Sequence, residues 1–122
     1  MPTNGLQDKR VLLVEDDWLV ASLVAEAFDS CGVTVIGPAT TRDDALQLVR
    51  EQGGFDLVLL DINLRGELSF PVADELSRRG VPFVFTTGYD ADAIPPRHAA
   101  VPLYRKPFNP VELLDAELRE SD

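Results

Sequence analysis

Short apolar runs alternate with segments of helical period along the 122 residues of this chain. Val11–Glu15 is an apolar run bounded by charges and reads as a buried strand. Leu19, Val20, Leu23, Val24, Ala27 and Phe28 follow at i, i+1, i+4, i+5 spacing, which predicts one apolar helix face, and Cys31-Gly32 ends it. Val33–Ile36 is a second, β-branched strand, closed by Gly37-Pro38. Thr41 with Asp44 resembles a capping box before a helix that turns Ala45, Leu46, Leu48 and Val49 inward. Asp56–Leu60 is apolar on both faces, as a central parallel strand requires.

The second half continues the alternation with one interruption. Residues 63–70 form a polar loop, and Ser69 with Pro71 opens a helix facing inward through Val72, Ala73 and Leu76 and closed by Gly80. Val81–Thr86 is a fourth strand with Pro82 at its beginning, and Val101–Arg105 is a fifth. Asn109-Pro110 caps a last helix carrying Val111, Leu113, Leu114 and Leu118. Between the fourth and fifth strands, Pro95-Pro96 cannot sit inside a helix, so the fourth helix is short or missing. The pattern is α/β: a (βα)5 doubly wound, five-stranded parallel sheet with helices on both faces. Residues 1–9 read as an N-terminal tail and 10–122 as a single domain with no output domain after it.

Composition narrows the function classes. The formal charge is −10, from 21 acids against 11 Lys and Arg, and such a surface repels phosphate backbones, which argues against nucleic acid as a partner. Cys31 is the single cysteine and His98 the single histidine, so an intrachain disulfide and a His/Cys zinc site are both untenable. Cys31 reads as a half-buried small apolar residue. No signal peptide or membrane-length apolar run is present, and a cytoplasmic protein without a membrane partner is expected.

The chemistry lies at the strand ends. Glu15-Asp16-Asp17, Asp61, Thr87 and Lys106 each end or follow an apolar run, and in a parallel sheet those carboxyl ends share one edge. Each residue alone has a plain structural explanation: a helix cap for Asp17, a turn for Asp61, a solvated side chain for Lys106. Together they match phosphoryl transfer to a carboxylate, which needs a nucleophilic Asp, a divalent cation and donors for the phosphoryl oxygens. Mg²⁺ takes oxygen ligands, and one or two carboxylates suffice. Asp61 would be nucleophile and ligand, Asp16 the second carboxylate, with Glu15 acting through water. Close packing of these acids is expected to raise at least one pKa.

The runs VLLVEDD at 11–17, DLVLLDINL at 56–64, VFTTG at 84–88 and RKPF at 105–108 resemble the receiver domains of two-component response regulators, the CheY-like superfamily. The resemblance covers about Arg10 to Glu120 and agrees in order and spacing. It implies strand order 2-1-3-4-5 and a Mg²⁺ (or Mn²⁺) held by Asp16, Asp61 and the backbone carbonyl of Asn63, with Glu15 nearby. It implies Asp61 as phosphoacceptor, Thr87 as switch hydroxyl, Lys106 as the phosphate-contacting lysine, and a cis peptide at Lys106–Pro107. PFVFTTGYDADAIP at 82–95 further resembles the FAT GUY subgroup of single-domain regulators, although Thr86 stands for its Ala and Tyr89 directly follows Gly88. That subgroup is associated with histidine kinases of the HWE and HisKA2 types and lacks a normal fourth helix.

Three positions depart from the wider family. Leu103 occupies the usual switch-aromatic position, while Tyr104 faces the other way by strand alternation. Gly88 replaces the usual Ala after the switch hydroxyl, and Arg65 stands where a Pro is common. The resemblance implies phosphoryl uptake from a histidine kinase or histidine phosphotransferase, and output is expected through an unknown downstream protein or phosphoryl shuttling. Tyr89, two residues past Thr87, is expected to shield the phosphoryl group and slow its autodephosphorylation. Such a receiver is a regulatory phosphoacceptor, not an enzyme acting on a separate substrate, and it is a monomer or a phosphorylation-dependent dimer. The alternatives are a haloacid-dehalogenase-like phosphatase, disfavoured by Asn63 at its acid/base position and by the short chain, and a degenerate receiver serving only as a binding module.

Overall fold

β1 (Arg10–Val14), β3 (Leu57–Asp61) and β6 (Phe83–Thr87) form the middle of a five-stranded sheet in the computed structural model, which describes residues 5–88 and 94–118. β2 (Thr34–Ala39) and β7 (Leu103–Arg105) are its edges, the order is β2-β1-β3-β6-β7, and all neighbouring strands are parallel. Counted along this sheet alone, that is the expected order 2-1-3-4-5.

Strand alternation divides the core in two. Leu12, Val14, Val58, Leu60 and Phe85 pack on one face against α2 (Arg42–Glu51) and α3 (Phe70–Arg79). Val11, Leu13, Leu57, Leu59 and Val84 pack on the other, against α1 (Trp18–Ser30) and α4 (Pro110–Glu117). Both faces of β1 and β3 are covered, so their apolar runs are unbroken. Each fully buried Leu or Val contributes roughly 1.5–3 kcal/mol relative to exposure. Leu6 belongs to the second cluster and is wholly buried, and the Asp8 amide donates to the Gly32 carbonyl, so packed structure reaches into the stretch read as a tail.

Local signals behave as their chemistry demands. Asp17 Oδ1 accepts from the amides of Leu19 and Val20 at the start of α1, Thr41 Oγ1 accepts from Asp44 on α2, and Asn109 Oδ1 accepts from Val111 and Glu112 on α4. Among the described residues, the connection from β6 to β7 carries a 3₁₀ turn, Pro96–His98, and no α-helix.

Three expectations change. β2 does not close at Gly37-Pro38 but runs through to Ala39, because it is an edge strand with one row of backbone groups unpaired by the sheet, where proline is tolerated. The segment 63–70 is not a plain loop: β4 (Asn63–Leu64) and β5 (Glu67–Leu68) form an antiparallel hairpin. Its tip, Arg65-Gly66, has φ 53° and 86°, the two positive values of a type I′ turn. The apolar face of α1 is narrower than its spacing suggests: Ala21, Val24 and Phe28 are buried, while Leu19 and Leu23 remain mostly exposed. Trp18 is 76% exposed and packs in neither cluster.

Candidate functional site

Asp61 is the last residue of β3, Thr87 the last of β6, Glu15 and Asp16 directly follow β1, and Lys106 directly follows β7. The parallel register brings these ends to one edge of the sheet. Glu15, Asp16 and Asp61 each present a carboxylate oxygen within 4.8 Å of the others. Lys106 Nζ lies 2.6 Å from Glu15 Oε1 and 2.9 Å from Asp61 Oδ2, bridging the two buried acids. The Lys106–Pro107 peptide is cis, as in the resembled family.

The backbone around each group is fixed. The Glu15 amide donates to the Ala39 carbonyl of β2, and the Asp17 amide donates to Glu15 Oε2. The first of these bonds sits beyond an irregularity in the β1–β2 register between Leu12 and Val14. Gly37 makes that course of β2 feasible: its φ is +105°, and an added Cβ would lie 2.6 Å from the Leu13 carbonyl oxygen. Asp61 Oδ1 accepts from the Asn63 amide, and the Asp61 carbonyl accepts from Ser69 Oγ at 2.6 Å. The Lys106 amide donates to the Thr87 carbonyl at 2.8 Å, tying the ends of β6 and β7 together.

The hairpin closes one side. The Arg65 amide donates to Asp16 Oδ2 at 2.8 Å, and Asn63 Oδ1 accepts from the Gly66 amide. A proline at position 65 has no N–H and could not make the first bond. That bond helps offset the cost of a left-handed backbone at a non-glycine residue. Arg42 of α2 pairs with Glu67, pinning the hairpin from outside.

Burial dominates the electrostatics. It pushes the Glu15 carboxyl up to about 7; the Asp61 charge adds to this, and Lys106 opposes it. Burial also raises Asp61, again against Lys106. The expected rise is present, with desolvation rather than mutual repulsion as its main cause. Burial works against the charge of Lys106, but its contacts with Asp61 and Glu15 outweigh it, and its pKa is raised. Two buried acids thus share one cation. Three hard oxygen donors within this reach suit a small divalent cation, which would relieve the shortage of positive charge.

The sequence-predicted residues meet in part. Glu15, Asp16, Asp61 and Lys106 converge directly, and Thr87 is buried at the same strand edge. Asn63 is exposed and touches Asp61 through its amide. Asp17 serves as the α1 cap. Tyr89 lies outside the described residues. Sequence reasoning missed Ser69 as the anchor of the Asp61 carbonyl, the Lys106–Glu15 contact and the Arg65 amide on Asp16. Ser69 read as a helix start and does stand there, but its hydroxyl makes no cap bond and turns to Asp61 instead. Only its placement beside an otherwise apolar run hinted at this.

A groove of about 430 Å³ adjoins the site, between α1 and the segment after β7. Val20, Leu23, Val24, Lys106, Pro107 and Phe108 line it, and exposed Trp18 and Leu19 lie on the same helix. Among the described residues, no helix is long and apolar enough to cross a membrane.

Known proteins are similar to this chain in sequence and fold. The solution structure of SdrG from Sphingomonas melonis Fr1 is 37% identical, with TM-score 0.77, covering 89% of this chain and 92% of that one. The receiver domain of PhyR from Erythrobacter litoralis is 27% identical, with TM-score 0.73 and 95% of both chains covered. The phyllosphere-induced regulator PhyR of Methylorubrum extorquens is 32% identical over 106 residues, 84% of this chain; the match spans 40% of that relative's length. The model of the response regulator receiver domain matches residues 11–117. Receivers in general bind Mg²⁺ through an acidic cluster of this kind and are regulatory phosphoacceptors. The chain belongs to the response regulator receiver domain family.

Proposed function

We propose that this receiver takes a phosphoryl group from a phosphohistidine onto Asp61 in a Mg²⁺-dependent reaction. The observation that carries the reading is the convergence of Asp61 with two further carboxylates and with Lys106 Nζ at the ends of the strands. An Asp61 carboxylate oxygen attacks phosphorus in line, an O–P bond forms, the P–N bond breaks, and the imidazole leaves. Ser69 and the Asn63 amide hold Asp61 for that attack. Lys106 offers its ammonium to the phosphoryl oxygens, and Thr87 its hydroxyl. Asp16, Asp61 and the Asn63 carbonyl would hold the cation, with Glu15 through water. When bound, the cation supplies charge neutralisation for the phosphoryl oxygens.

The donor is a histidine kinase or a histidine phosphotransferase. The apolar groove beside Lys106, with Trp18, Leu19 and Leu23 exposed next to it, supports docking of an apolar helical surface there. The FAT GUY resemblance of residues 82–95 and the likeness to PhyR and SdrG support a kinase of the HWE or HisKA2 type. Output runs through protein contact or phosphoryl shuttling. The test is transfer of labelled phosphoryl from such a kinase: label reaches the unmodified chain with Mg²⁺ and stays off it with chelator. Label that persists on an Asp61→Asn chain would end the assignment.

A further inference from the structure

His98 lies 2% exposed in the turn between β6 and β7, outside the acid cluster. Three phenylalanine rings box its imidazole. Phe70 stacks on it at 6.4 Å and 23°, while Phe83 and Phe85 meet it edge-on at 5.9 and 6.0 Å. Nε2 lies 2.8 Å from Asp74 Oδ1 on α3, and Arg97 grips the same carboxylate through Nε and Nη2. Nδ1 is buried with no hydrogen-bond partner among the described residues.

Two contact routes from the candidate site end on this ring. Ser69 Oγ holds the Asp61 carbonyl, and the next residue is Phe70. Thr87 ends β6, and Phe85 stands two residues before it on the same strand. The connection carrying His98 also joins Thr87 to Lys106 along the chain. A phenylalanine at position 98 would suit the aromatic box without burying an unsatisfied nitrogen. The histidine leaves Nδ1 unpaired indoors, a cost that water repays when the ring swings out. Docked and released forms are therefore closer in free energy than with an apolar ring, which is what a two-state element requires.

We propose that His98 is the releasable pin of a latch, with Asp74 and Arg97 as its outer clasp. It seats the 3₁₀ turn Pro96–His98 on α3, and the phosphoryl state of Asp61 sets whether it is closed. This rests on the reading of Asp61 as phosphoacceptor. It assigns the responding element to the 3₁₀ turn, in a chain whose usual aromatic switch position is an exposed leucine, Leu103.

Amide hydrogen exchange tests it, with Mg²⁺ and beryllofluoride as the phosphoryl mimic. The amides of His98, Ala99 and Val101 donate to the carbonyls of Pro95, Pro96 and His98 and report a closed latch. In the unmodified chain the probe is expected to speed their exchange about tenfold. Asp74→Ala, at an exposed position, is expected to give fast exchange without the probe. His98→Phe is expected to keep them slow with and without it. Should the Asn63 amide shift on adding the probe while these three amides keep their rates, the latch is wrong and the phosphoacceptor stands. Should His98→Phe respond like the unmodified chain, His98 is not the pin. No change at Asn63 under any probe concentration would remove the phosphoacceptor reading and the latch together.

Discussion

The two halves of the sheet are built to different standards. On the β2-β1-β3 side, strands of five or six residues are each followed by a helix of ten or more, except that β3 reaches α3 through the short hairpin. On the β6-β7 side, the described part of the connection carries a 3₁₀ turn and no α-helix, and the edge strand has three residues. The acids sit on the first half and are locked by backbone bonds at Glu15, Asp16 and Asp61. Thr87 and Lys106 sit on the second half, where the Lys106 amide donates to the Thr87 carbonyl and Lys106 Nζ reaches across to Glu15 and Asp61. Chemistry needs groups fixed before the reaction, whereas a response needs an element cheap to move. On the proposed reading, the contrast teaches how one small sheet would meet both demands, by dividing them between its halves.

The largest expected effect falls on the fixed half. Asp61→Asn keeps the shape of the side chain and removes the proposed nucleophile, so phosphoryl uptake from a kinase should drop below detection. Lys106→Ala, on the other half, should weaken retention of beryllofluoride yet leave the fold intact, as seen by circular dichroism. Equal loss of fold in both variants would break the division.

Core truncations sharpen it further. Leu60 is wholly buried in β3, and Leu60→Ala should cost roughly 2–5 kcal/mol in urea unfolding. Leu103 on the edge strand is 37% exposed, and Leu103→Ala should cost less than about 0.5 kcal/mol. Comparable losses at the two positions would mean that the edge is as well packed as the centre.

A pH experiment separates the acids from their surroundings. Glu15 keeps its proton in the folded metal-free chain up to about pH 7, against 4.5 for an ordinary glutamate. Between those values the folded state binds more protons than the unfolded one, so stability falls as pH rises from 4.5 to 7 and then levels. The part due to Glu15 should be on the order of 3 kcal/mol and be lost in Glu15→Gln, which keeps the smaller part from Asp61, whose carboxyl burial also raises. Protons and cation compete for the same oxygens, so apparent Mg²⁺ affinity should weaken as pH drops below about 7. A stability profile flat across this range would show that Glu15 is already ionised beside Lys106.

What could be read from the sequence follows the same division. Strand ends, caps and the 3₁₀ turn in the described part of the β6–β7 connection are local signals: Asp17, Asn109 and Pro95-Pro96 act on their own few neighbours. So the edge that gathers Asp16, Asp61 and Lys106 was legible. Contacts that depend on how separate segments pack were not. Ser69 could equally have capped α3; its reach to Asp61 depends on the hairpin that precedes it. That hairpin was hidden because two-residue strands leave no alternation to detect. From the sequence His98 serves only to exclude a His/Cys zinc site, since nothing local announces that three distant phenylalanines enclose it.

The smallest expected effect bears on Tyr104, the aromatic nearest the usual switch position. Its ring packs toward Phe108 and the α1–α4 face, opposite to exposed Leu103, as alternation requires. Its hydroxyl donates to Glu117 Oε2 on α4 at 2.5 Å, and burial together with that bond pushes its pKa up to about 12. A side chain held this way is a brace between β7 and α4, and swinging it toward the acids would break its bond and expose its ring. Tyr104→Phe should therefore lower stability by about 0.5–1.5 kcal/mol while phosphoryl uptake and lifetime stay unchanged. A changed lifetime would place the moving element at β7 and take that role away from the turn around His98.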